Sequence, residues 1–290
     1  MLKRRDPGFF LSHLLGHYSL ARSFWLHTVL LGWLFGSLTA YLTARLVDSY
    51  PVRYSSLAAL VLVPIAFALW AWSNVGAFAA ATRRLLSGRG WFWSLVAMLV
   101  LLLGAREAIP EFRTLRPFLS EHFMVAMGAQ PGEPFTVTLV DAGKTVEFVG
   151  GINDGAAKAL REVVGPAPKV TTVRLSSQGG WLHEGVKMGE VIKYFRLSTT
   201  VKDECASACT IAFLAGLDRT ASQGAILGFH SARPVGGLLA SKGLDRRDER
   251  GIYVQAGVDK AFVERVLSTP PGSIWAPTHY ELVRSGVLTR

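Results

Sequence analysis

Cysteine is scarce in this chain of 290 residues, which contains only Cys205 and Cys209. Two cysteines are too few for a disulfide-rich scaffold or for a zinc site built from four cysteines. The sequence also has no glycine-rich phosphate loop of the G-x-x-x-x-G-K-[ST] type, which argues against a nucleotide site. Since no set of metal ligands is evident either, we expect no metal and no cofactor.

Acidic residues are scarce in the first 119 residues, which hold twelve Lys and Arg against four Asp and Glu. The remaining residues hold nineteen against seventeen. A nucleic-acid-binding protein is expected to carry its positive charge on the face of a folded domain. Here the excess lies in the apolar part of the chain, which indicates membrane topology, and we expect no nucleic-acid partner.

Charged residues are absent from two long apolar stretches, residues 23–44 and 57–81. A third stretch, residues 91–109, is apolar but contains Arg106 and Glu107 near its end. A helix needs about 20 apolar residues to cross a bilayer. We therefore predict three transmembrane helices in an N-terminal membrane region, residues 1–109, whose partner is the lipid bilayer. Residues 9–21 precede them with an amphipathic pattern typical of a helix on the membrane surface.

Lys and Arg flank these stretches unevenly. They are frequent before the first stretch and between the second and third, and sparse between the first and second. Because positive charge collects on the cytoplasmic side, we predict a cytoplasmic N-terminus in the bacterial inner (plasma) membrane. Three crossings then leave the C-terminal domain in the periplasm. If the third stretch does not cross, that domain lies in the cytoplasm instead.

An α/β domain is predicted at residues 135–290, after a juxtamembrane linker at residues 110–134 that is rich in Pro, Gly and charge and holds a short helix. Residues 135–140 and 145–149 alternate in polarity and predict a β-hairpin. Helix and strand patterns then alternate, which predicts a mostly parallel sheet covered by helices. The predicted helices are residues 154–164, 184–195 and 207–215, and the predicted strands are residues 170–175, 198–201 and 225–229.

Ser207 lies where a predicted strand gives way to an apolar helix. Unpaired amides and the helix dipole stabilise negative charge at such a position, which suits a nucleophile. Serine is also a favoured N-cap residue, and for an isolated serine the cap is the ordinary explanation. His230 ends a predicted strand, where a histidine bonded to the backbone is equally ordinary.

The order of several motifs nevertheless resembles a known family. The motifs are Ser177-Gln178-Gly179-Gly180, Cys205-Ala206-Ser207, Ala215-Gly216, Gly228-Phe229-His230 and a tail from Ala276-Pro277 to Gly286-Val287-Leu288. This order is similar to the proteolytic subunit of Clp protease (ClpP) and its relatives in the crotonase-like superfamily, with Gln178 in place of the family's proline. The chain also resembles membrane-anchored periplasmic relatives of that protease.

The resemblance implies a crotonase-like (ClpP-like) α/β fold and a possible serine endopeptidase. Ser207 would be the nucleophile and His230 its general base, since a serine hydroxyl needs a base to take its proton. The backbone amides of Gly180 and Ala208 would form the oxyanion hole. A peptide or protein would be the substrate or ligand, and self-association into a homo-oligomer would be expected.

The third catalytic member is where the chain departs from the family. The corresponding position falls near residues 267–269, which contain no Asp or Glu. A Ser–His dyad, or an imidazole oriented by Ser268 or Thr269, would be weaker than a full triad. A catalytically inactive domain that binds peptides or partners, or that assembles with itself, is the alternative, because fold does not determine function. The nearby acids are Asp245, Asp248, Asp259 and Glu264, and nothing in the sequence selects among them.

Cys205 and Cys209 bracket Ser207. In an oxidising compartment they could form a disulfide, which is feasible at a junction between a loop and a helix. Such a bridge would fix the turn that holds the serine. Two buried cysteines packing as small apolar residues are the alternative.

Overall fold

The structure is a computed structural model that describes residues 8–49, 52–88, 90–232 and 246–289. The described residues form two compact units, one of helices up to Gly128 and one of mixed α and β structure from Ala129 onward.

The helical unit contains three helices that are long and apolar enough to cross a membrane, spanning Arg22–Leu42, Val52–Leu86 and Trp91–Ile109. This confirms the three predicted apolar helices. The elements are α1 (Gly8–Leu14), a π-helix (Arg22–Leu30) that continues into α2 (Leu31–Ser49), α3 (Val52–Leu86) and α4 (Trp91–Ala126).

The helix α4 does not end near residue 109, where the linker was predicted to begin, but continues to Ala126. Its second half packs on α3, because apolar side chains of the two helices form one cluster and His122 Nδ1 lies 3.0 Å from Ser56 Oγ. These contacts make one long helix of the region that was predicted to be a connector with a short helix. The apolar cluster consists of Ala59, Val63, Leu115, Phe118 and Leu119.

The N-terminal helix α1 is shorter than the predicted residues 9–21, since it ends at Leu14. The turn after it contains Gly16, which has a φ of +67° and touches the backbone of Ala79 and Ala80 in α3. A side chain at this position would collide with that backbone. The close approach explains why the amphipathic pattern ends in a tight turn.

The α/β unit is built on a six-stranded sheet in the order β1-β2-β3-β4-β5, with β6 paired to β4. The first pair is antiparallel, which confirms the predicted hairpin, and the other pairs are parallel. The strands are β1 (Thr136–Val140), β2 (Thr145–Val149), β3 (Thr172–Ser177), β4 (Ser198–Ala206), β5 (Arg219–Ala221) and β6 (Ile226–Gly228).

Helices cover this sheet and bury a continuous apolar core. They are α5 (Ala156–Val164), α6 (Leu182–Tyr194), α7 (Ala208–Phe213), α8 (Arg246–Gln255), α9 (Lys260–Ser268) and α10 (His279–Arg284). The helix α5 begins without a side chain at the N-cap position to cap its first amides. Its N-cap is Gly155, and Glu184 Oε2 instead accepts the Ala157 amide at 3.1 Å.

Three neighbouring parallel strands end side by side, and this places the candidate site. Ser177 at the end of β3 pairs with Cys205, and Ala206 at the end of β4 pairs with Gly228 at the end of β6. The strand β4 is longer than the predicted residues 198–201 because its second half pairs with β6. The segments that follow these strand ends therefore meet at one edge of the sheet.

Candidate serine–histidine site

Ser207 occupies a strained turn between β4 and α7. Its φ is +54° and its ψ is −124°, a conformation that a residue with a side chain rarely adopts. Backbone hydrogen bonds hold the turn, since the Ser207 amide donates to Gly228 O at 2.9 Å, and the amide and hydroxyl of Thr210 donate to Ser207 O at 2.9 and 2.8 Å. Ser207 is thus the N-cap of α7 by position, but its side chain makes no capping hydrogen bond.

A disulfide between Cys205 and Cys209 encloses this turn. Both cysteines are fully buried, and their Cα atoms lie 5.3 Å apart. The sharp change from strand to helix at Ser207 lies between the two cysteines, and their Cα separation falls in the range that a disulfide requires. The bridge therefore restrains the backbone on both sides of the serine.

His230 follows β6, and its Nε2 lies 2.8 Å from Ser207 Oγ. Its other ring nitrogen, Nδ1, lies 2.8 Å from the carbonyl oxygen of Ser231. A carbonyl can only accept, so Nδ1 carries the proton in the neutral ring and Nε2 is left as an acceptor. The Ser207 hydroxyl consequently donates to His230, which is the arrangement a general base requires.

The imidazole is oriented by main chain rather than by Ser268 or Thr269. Both of those hydroxyls donate to Arg265 O, at 2.9 and 2.8 Å. The Thr269 carbonyl instead accepts from the amide and the hydroxyl of Ser231, at 2.9 and 2.8 Å. Thr269 therefore supports the histidine indirectly, because its carbonyl fixes the peptide that binds the imidazole.

The acidic residues considered from sequence have other roles or lie outside the described side chains. Asp259 caps α9, where its Oδ1 accepts from the amides of Ala261 and Phe262. Glu264 pairs with Arg250, and this hydrogen bond lowers the pKa of the Glu264 carboxyl. Asp245 and the side chain of Asp248 lie outside what the structure describes.

Glu249 was not among the acidic residues considered from the sequence, and it lies within the charged run of residues 246–250. Its side chain is buried, with the residue 3% exposed, and both carboxylate oxygens accept from the Ala232 amide, at 3.2 and 3.3 Å. It anchors the backbone two residues beyond His230. Glu249 and Tyr253 are four residues apart and so share one face of α8, and this spacing is the signal that could have revealed the buried carboxylate.

Two glycines follow β3, of which Gly179 lies against the serine turn and Gly180 against the backbone of Ile152. Gly179 and Gly180 have φ values of +105° and +149°. A Cβ atom on Gly179 would lie 2.8 Å from Ser207 Cβ and 3.3 Å from the Ala208 amide nitrogen. Within the described part of the chain, neither the Gly180 nor the Ala208 amide donates a hydrogen bond, so both can serve a ligand.

Three potential metal ligands also come together beside this glycine turn. The ligand atoms of Asp154, His183 and Glu184 lie within 4.8 Å of one another, although the sequence showed no metal pattern. His183 Nε2 lies 3.7 Å from Glu184 and 4.0 Å from Asp154, and the Lys187 ammonium lies 3.9 Å from Glu184, so a cationic side chain already faces this carboxylate. No chemical step requires a metal there.

Among solved structures, the chain is similar to ClpP1 from Listeria monocytogenes, with 17% sequence identity and a TM-score of 0.43. It is also similar to a point mutant of that protein, with 17% identity and a TM-score of 0.42. Each match covers 51% of this chain and 90% of the other chain. No family model matches the sequence, and no curated protein matches it. Similarity at this level leaves the chemistry to be argued from the site itself.

Proposed function

We propose that the α/β unit hydrolyses peptide bonds through Ser207 and His230, as a serine peptidase anchored to a membrane by the helical unit. The observation that carries the proposal is the 2.8 Å contact between Ser207 Oγ and His230 Nε2. The proton on His230 Nδ1 is held by the Ser231 carbonyl, so the acceptor nitrogen faces the serine.

In the proposed reaction, Ser207 Oγ attacks the carbonyl carbon of the peptide while its proton passes to His230 Nε2. The resulting imidazolium keeps its Nδ1–H···O hydrogen bond to Ser231. His230 then gives the proton to the leaving amine, and an acyl-enzyme ester remains on Ser207. A water molecule, deprotonated by the same nitrogen, hydrolyses the ester and restores the serine.

The amides of Gly180 and Ala208 are the proposed oxyanion donors. They lie on the two turns that Gly179 brings into contact, and they are not engaged elsewhere in the described residues. Loss of one oxyanion donor in a serine hydrolase costs about 10²- to 10³-fold in rate. The turn after β3 therefore supplies one of the two proposed oxyanion donors, and the serine turn supplies the other together with the nucleophile.

The helical unit is proposed to insert in the bacterial inner membrane with its N-terminus in the cytoplasm and the α/β unit in the periplasm. The positive-inside distribution of Lys and Arg supports this orientation. The disulfide between Cys205 and Cys209 supports an oxidising compartment for the α/β unit. Self-association into a homo-oligomer remains part of the proposal, and mass photometry of the detergent-solubilised protein tests it.

A second candidate function is a catalytically inactive module that binds peptides or partners in the same place, or that assembles with itself. One observation favours it: the partner of His230 Nδ1 is a neutral carbonyl, and a carboxylate would stabilise the imidazolium far better. Ser207 and His230 would then contribute hydrogen bonds to a bound chain rather than chemistry.

Labelling by a fluorophosphonate separates the two candidates, because the probe reacts only with an activated serine. The full-length protein in detergent is compared with Ser207→Ala, His230→Ala and the control Ser268→Ala, whose hydroxyl donates to Arg265 O. We expect labelling of the wild type and the control, and a loss of at least about a thousandfold in the other two. An unlabelled but folded wild type would reject the peptidase and favour the binding module, and labelling that survives Ser207→Ala would place the nucleophile elsewhere.

A further inference from the structure

A partly open cavity of about 830 Å³ lies between helices of the helical unit, bordered by the π-helix, α2, α3 and α4. Its volume falls in the range of ligand-binding pockets, which are mostly apolar with a few placed polar groups. Apolar and aromatic side chains dominate the lining, and none of the described residues that line it is Asp, Glu, Lys or Arg. The polar lining residues include His27, Thr28, Ser73 and Asn74.

These polar groups belong together in space. Thr28 Oγ1 lies 3.1 Å from Ser73 O, and His13 Nε2 lies 3.2 Å from the same carbonyl. His27 and Thr28 are part of the π-helix Arg22–Leu30. π-Helical segments are rare and occur frequently at functional sites, because they displace side chains from the ordinary helical positions.

The protonation of the two buried histidines follows from their contacts. His13 and His27 are 0% and 2% exposed, and their Nδ1 atoms lie 3.0 Å apart. Because the Ser73 carbonyl can only accept, neutral His13 carries its proton on Nε2 and accepts on Nδ1. His27 must then donate from Nδ1, which leaves its Nε2 with a lone pair.

His27 lines the cavity, and no hydrogen bond involves its Nε2 in the described part of the chain. The His13 ring that fixes the pair occupies space left by Gly76 in α3, where any Cβ would collide with the imidazole. The helices are thus shaped around this histidine pair.

We propose that the cavity binds a lipid with an apolar chain and an uncharged hydroxyl head, whose O–H donates to His27 Nε2. The apolar lining suits the chain, and the single-acceptor geometry suits the hydroxyl. A phosphate or ammonium head would be left without a counter-charge among the described lining residues, at a high desolvation cost. The proposal concerns the helical unit alone and does not depend on peptide hydrolysis by Ser207.

The test uses the full-length protein in detergent and a diacylglycerol with a photoreactive diazirine in one acyl chain. Unlabelled competitors are a diacylglycerol, a long-chain isoprenoid alcohol, an isoprenoid quinol and phosphatidylglycerol. We expect crosslinks in the π-helix and α3, displaced by at least one of the three hydroxyl lipids, and the most effective one identifies the source of the ligand. Phosphatidylglycerol should compete at least about tenfold more weakly, as expected for a head that lacks a partner.

Two variants and their matched controls make the result decisive. His27→Phe removes the acceptor and should weaken labelling about five- to tenfold, whereas His17→Phe, at an exposed histidine, should not. Gly36→Leu fills the cavity without meeting any atom within 4 Å of its Cβ, and should abolish labelling. Gly104→Leu adds the same side chain in equally open space outside the lining and should have no effect.

Gly36→Leu keeps the test valid if His27→Phe fails to fold. Labelling that persists in Gly36→Leu would overturn the proposal, and so would equal competition by phosphatidylglycerol, which would indicate ordinary bilayer lipid. Neither result bears on fluorophosphonate labelling of Ser207, so the lipid proposal and the peptidase proposal can be refuted independently.

Discussion

Replacing Gly179 by alanine tests whether the glycine turn and the serine turn form one site. At a φ of +105° an L side chain costs roughly 1–2 kcal/mol in backbone strain. The new Cβ would also lie 2.8 Å from both Ala206 O and Ser207 Cβ, closer than such contacts occur, so that one of the two turns must move. We expect the free energy of unfolding to fall by about 3 kcal/mol in total. The part that backbone strain does not explain comes mostly from this collision.

Gly155→Ala is the matched control. Its φ of +87° imposes a similar backbone strain, but its Cβ would meet no atom within 4 Å. We expect about 1–2 kcal/mol from strain alone. The difference between the two variants therefore isolates the contact between the turns.

The stability of the α/β unit is measured by thermal unfolding of the full-length protein in detergent. The susceptibility of this unit to proteolysis reports its unfolding at each temperature. About 3 kcal/mol corresponds to a fall in Tm of about 6–12 °C for a domain of this size. Fluorophosphonate labelling measures the chemistry, and should be slowed by Gly179→Ala but not by Gly155→Ala. If the two variants lose equal stability and label at the wild-type rate, the turns are independent and the proposed oxyanion site is wrong.

Three further predictions concern the α/β unit. Replacing Cys205 and Cys209 by serine should slow fluorophosphonate labelling and cost about 2 kcal/mol, a small effect because the closed loop is short. Arg219→Met should destabilise the α/β unit by at least about 3 kcal/mol, because the buried guanidinium donates to several backbone carbonyls and its loss leaves them unpaired. Hydrogen bonds from Thr278 lower the pKa of Glu281, so the stability that they contribute is present above its unfolded pKa and lost as the pH falls through the folded one. The gap between the wild type and Glu281→Gln should therefore shrink as the pH is lowered from about 6 to about 3.

Each of these predictions has its own control. Free-thiol counting after denaturation distinguishes the oxidised from the reduced protein, and a wild type with two reactive thiols would remove the basis of the first. Arg250→Met is the control for Arg219, since its ion pair with Glu264 is exposed and should matter little. A gap for Glu281→Gln that stays constant with pH would show that the carboxylate does not act through its charge.

No pattern predicted β5 or the helices α8, α9 and α10, but the types of the other elements in the α/β unit follow from sequence pattern, because the hairpin and the buried strands have strong periodicity. The lengths do not. The strand β4 extends to Ala206 only because β6 pairs with it, a long-range contact that local pattern does not contain. The helix α4 likewise continues past residue 109 because its side chains pack on α3. Element type is a local property here, whereas element length is decided by tertiary partners.

The candidate site shows the same division. Ser207 and His230 stand out from their positions in the order of motifs, and the structure brings them within 2.8 Å. The partner of the imidazole could not be read from side chains, because it is the Ser231 carbonyl, a group that every residue carries. The buried Glu249 was concealed in the opposite way, by a run of charged neighbours whose pattern predicts a solvated face.

The main-chain partner of His230 has a consequence for mutational scanning. A side-chain triad gives three sensitive positions, each of which can be deleted by one substitution. Here no replacement at Ser231 removes the carbonyl oxygen that binds Nδ1. For the proposed peptidase, a complete scan of the α/β unit should therefore find two chemically indispensable side chains, while substitutions at position 231 act only through the hydrogen bond of the Ser231 hydroxyl to Thr269 O. A search for catalytic triads that requires an acidic third residue would overlook such a site.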